Sequence, residues 1–151
     1  MTQDIQKLTD RLRRLCSRRE YCKSDILKKA MTALEGDKEA AEAVLDVLVS
    51  EKYVDDLRYS TAYAREKAMI SGWGETKIRY MLSAKRIDRS LVDQALTEID
   101  AGKADTRLHK LLENKAKTLK ADPQIRLKLL RFALGRGYQY DDVVRVLKDI
   151  L

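Results

Sequence analysis

The sequence is poor in the residues that punctuate a chain: one Pro and six Gly in 151 residues. An all-β protein needs many tight turns built on those residues, so this composition excludes it. Only two Cys are present, and Cys16 and Cys22 do not have C-x-x-C spacing. They read as two ordinary thiols. A zinc site needs four ligands, which these two Cys and the single His109 do not supply. No stretch approaches 18 uninterrupted apolar residues, so no transmembrane helix is expected. The first residues, Met1-Thr2-Gln3-Asp4-Ile5-Gln6-Lys7, lack the apolar centre of a secretory signal. The expected compartment is therefore the reducing cytoplasm.

What remains is abundant charge on an adequate apolar base. Hydrophobic residues make up 44% and charged residues 36%, enough for a folded core under a heavily solvated surface. The 31 Lys and Arg outnumber the 24 Asp and Glu, for a net charge of +7.

Apolar residues recur at helical spacing along almost the whole chain. Ile5, Leu8, Leu12 and Leu15 predict a first helix. Ile26, Leu27, Ala30, Met31 and Leu34 predict a second, with Ser24 as its N-cap. Val44, Leu45, Val47 and Leu48 predict a third, ending near Lys52. Asp55 or Asp56 caps a fourth, which carries Tyr59, Ala62 and Tyr63 and breaks at Ser71-Gly72-Trp73-Gly74. Glu75 to about Ala84 forms a fifth, with Ile78, Met81 and Leu82 inward. Leu91, Val92, Ala95, Leu96 and Ile99 line a sixth; Leu108, Leu111, Leu112 and Leu119 mark a seventh. Pro123 suits the first turn of an eighth, where its missing N–H has no helical partner. Leu129, Leu130, Ala133 and Leu134 follow. Val143, Val144, Val146, Leu147 and Ile150 belong to a ninth.

The pattern repeats. At an offset of 51, Lys77 to Leu82 overlays Lys128 to Ala133, Ile87 falls on Tyr138, Val92 on Val143 and Leu96 on Leu147. Val44 and Leu48 match Val92 and Leu96 at an offset of 48, and Ile26 matches Ile78 at 52. The expected architecture is all-α: three tandem three-helix repeats at 1–53, 54–101 and 102–151. Units this small bury little alone, so they should stack into an elongated, curved body.

Catalytic chemistry finds no foothold. No G-x-x-x-x-G-K-[ST] loop occurs, and Gly72-Trp73-Gly74 is not a dinucleotide fingerprint. His109 reads as a solvated surface residue. Asp55-Asp56 and Asp141-Asp142 read as helix caps that complement the dipole, not as paired catalytic carboxylates. No enzyme activity and no cofactor are expected.

Charge is segregated along the chain. Residues 1–29 hold nine basic and four acidic side chains, residues 35–56 two and eight, and residues 103–136 ten and three. Such asymmetry fits a basic side that meets nucleic acid or an acidic protein. Equally, Lys and Arg are good helix formers for exposed positions. Trp73, between two glycines, reads as a plug between the fourth and fifth helices, with a partner-binding anchor as the other reading.

Four local strings resemble one family. Arg18-Arg19-Glu20-Tyr21-Cys22-Lys23-Ser24-Asp25-Ile26 is similar to the R-E-Y-S-R-x-E-L segment of the RecX regulatory proteins. Tyr53-Val54-Asp55-Asp56-Leu57-Arg58-Tyr59-Ser60 resembles their G-Y-L-D-D-x-R-F-A signature. Gly72-Trp73-Gly74 with Ile78, Leu82 and Ile87 resembles the stretch that follows it. Arg131-Phe132-Ala133-Leu134-Gly135-Arg136-Gly137-Tyr138 resembles the C-terminal F-L-x-x-R-G-F element. Lys52 and Arg86 stand where the family pattern has glycine, which puts loop geometry in question at both. Cys22 replaces a serine and removes a hydroxyl near the start of the second helix.

The resemblance implies three three-helix repeats and a cytoplasmic, monomeric protein that binds RecA and its filament on single-stranded DNA. It further implies modulation, mainly inhibition, of recombinase, ATPase and SOS co-protease activities, with weak direct DNA contact as an added possibility. The residues expected to form a RecA- or DNA-binding patch are Arg18, Arg19, Arg58, Lys77, Arg79, Arg126, Lys128, Arg131 and Arg136. Arg suits bidentate recognition of carboxylates and phosphates. The alternatives are an autonomous basic nucleic-acid binder of helical repeats, or a helical scaffold for another acidic protein.

Overall fold

A computed structural model describes residues 3–99 and 101–151; Met1, Thr2 and Asp100 fall outside it. Among the described residues there are nine helices and no strand: α1 (Gln3–Arg18), α2 (Lys23–Ala33), α3 (Lys38–Ser50), α4 (Asp56–Met69), α5 (Glu75–Ala84), α6 (Arg89–Leu96), α7 (Ala101–Lys117), α8 (Ile125–Gly135) and α9 (Tyr140–Ile150). None is long and apolar enough to cross a membrane.

Each triplet buries its own apolar stripe. Leu8, Leu12, Ile26, Val44 and Leu48 meet in the first core, Ile78, Leu82, Val92 and Leu96 in the second, and Leu108, Leu112, Leu129, Val143 and Leu147 in the third. The substantial helix–helix contacts all lie within a triplet. The repeat offsets survive in three dimensions: Ile26, Ile78 and Leu129 occupy equivalent buried sites, as do Val44, Val92 and Val143. Accessible surface is 9694 Å², whereas a compact monomer of this mass would expose roughly 7,900 Å². The excess is what a row of small cores produces, and it agrees with an extended body.

Several local expectations need correction. Ser24 does not cap α2; the cap position is Cys22, which offers no side-chain cap. The Asp56 carboxylate on α4 instead accepts the Lys23 N–H at 2.8 Å, leaving Asp55 to cap α4 through the Arg58 N–H at 3.0 Å. Pro123 lies before α8, not in its first turn, because Asp122 folds its carboxylate over Pro123 to accept the Gln124 N–H at 2.8 Å. Asp141 and Asp142 sit inside the first turn of α9, where they complement the dipole without capping it. Ile99 and Leu119 fall just past their helices but still pack on the cores.

Glu35, Arg86 and Gly137 end the second helix of the three repeats, 51 residues apart, and all have positive φ: 53°, 59° and 94°. Lys52, after α3, does the same at 65°. The Lys52 and Tyr53 amides then close onto Val49 and Leu48, and those of Gly137 and Tyr138 onto Leu134 and Ala133. These pairs complete Schellman ends. Lys52 and Arg86 therefore keep the left-handed turn that glycine would make more cheaply; the backbone holds its shape and carries the strain.

Candidate functional site

The places where repeats meet engage several of the expected cations, Arg58, Lys77 and Arg136 among them. At the joint between the second and third repeats, the end of α8 runs into the start of α5. The Gly74 amide donates to the Arg136 carbonyl at 2.8 Å, and the Thr76 amide donates to the Gly137 carbonyl at 3.0 Å. Orphan donors of one helix thus meet orphan acceptors of another, dipoles aligned head to tail. Contact this close requires glycine on both sides. A Cβ on Gly74 would lie 2.5 Å from the Gly137 carbonyl oxygen, and one on Gly137 would lie 2.3 Å from the Lys77 Cβ. The Tyr138 hydroxyl donates to the Gly72 carbonyl at 3.1 Å, locking the loop before α5.

Trp73 packs on the second core at this joint, edge-on to Tyr63 with ring centroids 6.3 Å apart. Lys67 and Lys77 place their ammonium groups 5.0 and 4.4 Å from its ring centroid. It is half-buried and acts as the plug of the two readings, with a cationic rim.

The joint between the first and second repeats uses the same geometry with side chains. The Ser24 hydroxyl donates to the Lys85 carbonyl at the end of α5, 2.7 Å away. Lys85 Nζ pairs with Asp25 at 2.7 Å. Burial pushes the Asp25 carboxyl up, but the Lys85 ammonium and its contacts with Cys22 outweigh this, so its pKa is lowered. Asp56 behaves oppositely: burial dominates the Lys23 amide and raises its pKa. Cys22, fully buried, belongs to the core of the second repeat although it precedes α2. Cys16 and Cys22 are both free thiols, pushed up mainly by burial.

The nine cations expected in a patch divide by environment. Arg58 pairs with Glu20 at 2.7 Å and also donates to the Lys52 and Tyr53 carbonyls, so it braces the end of α3. Arg79 is held by Asp93 at 2.6 Å and Glu75 at 3.4 Å. Lys128 pairs with Asp122. Lys77 and Arg136 come together at the joint of repeats two and three, Arg136 lying 4.9 Å from the Phe132 ring and donating to the Ser71 carbonyl. Arg19 stands 4.5 Å over the Tyr21 ring. Arg18, Arg126 and Arg131 are exposed with no carboxylate pairing to them among the described residues. Sequence reading missed Arg11, Lys28 and Lys29, which lie with Arg19 in one groove. Their net positive charge was visible; their convergence depends on how α1 packs on α2.

His109 is half-buried between Glu113 and Asp149, at 3.3 and 3.4 Å. Among the described residues no group of three or more His, Cys, Asp or Glu is placed to hold a metal.

Two family models match: the second three-helix domain of RecX over residues 55–96 and the third over residues 104–147. Regulatory protein RecX of Vibrio campbellii is 34% identical over 131 residues, covering 85% of this chain and 82% of that protein. Regulatory protein RecX of Clostridium tetani is 32% identical over 119 residues, 76% of this chain but only 54% of the relative. The chain thus spans about half the length of the clostridial protein. A crystal structure of RecX from Lactobacillus salivarius superposes with a TM-score of 0.86 at 20% identity, covering 99% of this chain and 97% of that one. A second RecX crystal structure gives 0.85 at 24% identity, over 97% and 72%; both likenesses concern the fold. Family models over more than half the chain, and relatives above 30% identity along most of their length, lead to one conclusion: this chain belongs to the RecX family of regulatory proteins.

Proposed function

We propose that this protein binds RecA and its filament on single-stranded DNA and restrains the filament's ATPase, strand-exchange and co-protease activities. Family membership is the observation that carries this reading. The shape supports it: three cores in a row, joined end to end, let one molecule touch successive subunits of a helical polymer. Contacts by each unit, at 1–53, 54–101 and 102–151, then act together through effective concentration. No chemistry is asked of the protein itself, and neither cofactor nor catalytic residue is invoked.

Of the nine candidate cations, Arg18, Arg126 and Arg131 are the best suited to outside contact: they are exposed, and among the described residues neither a carboxylate nor an aromatic ring engages them. Arg58, Arg79 and Lys128 serve internal ion pairs first. The decisive experiment titrates the protein into RecA hydrolysing ATP on single-stranded DNA. Inhibition below one molecule per RecA subunit is expected, and Arg126→Glu with Arg131→Glu should weaken it while leaving the far-ultraviolet circular dichroism unchanged. An inactive wild-type protein that binds DNA alone with steep salt dependence would replace this reading with that of an autonomous nucleic-acid binder.

A further inference from the structure

The first repeat carries a concave surface that shares only Arg19 with the nine cations of the RecA reading. It is an open groove of about 800 Å³ between α1 and α2. Leu12, Leu15 and Tyr21 give it an apolar lining; Arg11, Arg19, Lys28 and Lys29 supply its charge. Among the described residues, the only acidic one in its lining is Asp25, already committed to Lys85 at 2.7 Å. Among the described residues no carboxylate pairs with any of those four cations. Four unanswered positive charges around an apolar trough call for a ligand that is both anionic and apolar.

We propose that this groove docks an acidic peptide segment of a protein partner, carboxylates on the rim and one or two apolar side chains on the floor. Charge complementarity selects an anion, and the floor selects the kind. A single nucleic-acid strand needs exposed aromatic faces on which bases stack. Tyr21 offers poor access, with Arg19 at 4.5 Å and Lys29 at 5.5 Å from its ring centroid. Those same cations are prepositioned for carboxylates: Arg11 and Arg19 present forks for bidentate pairing. An acidic amphipathic segment satisfies rim and floor at once, as in groove-bound helices generally.

The test uses the full chain without RecA, so its result is independent of filament regulation. A fluorescein-labelled peptide rich in Glu and Asp with one Leu-x-x-Phe pair is titrated by fluorescence anisotropy. Its controls are the same peptide with Leu and Phe replaced by Gly, and a labelled oligothymidylate of equal charge. The anchored peptide should bind, the Gly version several-fold more weakly. Arg11→Glu with Lys28→Glu should weaken peptide binding by roughly tenfold or more. Both residues are exposed on helix surfaces, and the milder pair Arg11→Gln with Lys28→Gln should act in the same direction. Failure of the anchored peptide to bind, or equal binding by wild type and both pairs, would overturn the proposal. So would oligothymidylate that displaces the peptide and loses its own binding on charge reversal.

Discussion

Replacing Gly74 by Ala isolates the joint between the second and third repeats. The residue has φ −85° and ψ 170°, a conformation open to any amino acid, so no backbone strain is introduced. As an N-cap change, Gly→Ala should cost about 0.5–1 kcal/mol. The added methyl, however, would lie 2.5 Å from the Gly137 carbonyl oxygen and 2.7 Å from the Tyr138 nitrogen. Backbone atoms cannot rotate away, so the ends of α8 and α5 must separate. The Gly74 and Thr76 amide hydrogen bonds, at 2.8 and 3.0 Å, stretch or break, at about 1 kcal/mol each. With the overpacking included, a loss of about 2–3 kcal/mol is expected. Gly135→Ala is the control: it lies at the end of α8 with nothing within 4 Å of a new Cβ, and should be neutral or stabilising by up to about 1 kcal/mol. Urea denaturation followed by circular dichroism gives both values, and amide exchange at Thr76 reports the joint locally. A Gly74→Ala loss no larger than the capping change, with Thr76 protection intact, would refute this account of the joint.

Arg86→Gly should stabilise the protein by about 0.5–1 kcal/mol in the same assay, because φ 59° is strained for any residue with a Cβ and, among the described residues, no carboxylate pairs with Arg86. Glu35→Gly should act in the same direction at φ 53°. Asp25→Asn tests the first joint through pH. A carboxyl whose folded pKa is depressed contributes stability above its unfolded pKa, near 4, and loses it as pH falls through the folded value. Wild type should therefore exceed Asp25→Asn at pH 7 by up to about 1 kcal/mol, and the two should converge once the pH falls below the lowered folded value; a pH-independent gap would remove the Lys85 pair as the cause. Tyr138→Phe should lose about 1 kcal/mol with the hydroxyl bond to the Gly72 carbonyl.

The helices and most of their buried faces were legible because apolar periodicity reports burial: Ile78, Leu82, Val92 and Leu96 were placed inward and are buried, whereas Met81, also placed inward, lies at the edge of the α5 stripe and is exposed. The equivalence of Ile26 with Ile78 was likewise readable as an offset. Helix ends were less so. Ser24 and Pro123 look like start signals, yet the oxygen that caps α2 comes from Asp56, 33 residues away, and no local rule anticipates a cap from another repeat. For the candidate surface, sequence supplies charge but not its neutralisation. Arg79 and Arg131 look alike in sequence; Asp93 takes one, and no described carboxylate takes the other. Arg11 and Lys28, separated along the chain, share a groove only through the packing of α1 on α2.

The end-to-end joints impose an order on biosynthesis. Residues 74 and 76 emerge from the ribosome long before residues 136 and 137, whose carbonyls they require; Ser24 similarly waits for Lys85. Each repeat can gather its own core on release, but in the first two the start of the second helix stays solvated until the following repeat has been made. The nascent chain therefore closes backwards, the newest segment completing the one before it. A synthesis pause after α7 would hold the second repeat assembled but unlatched.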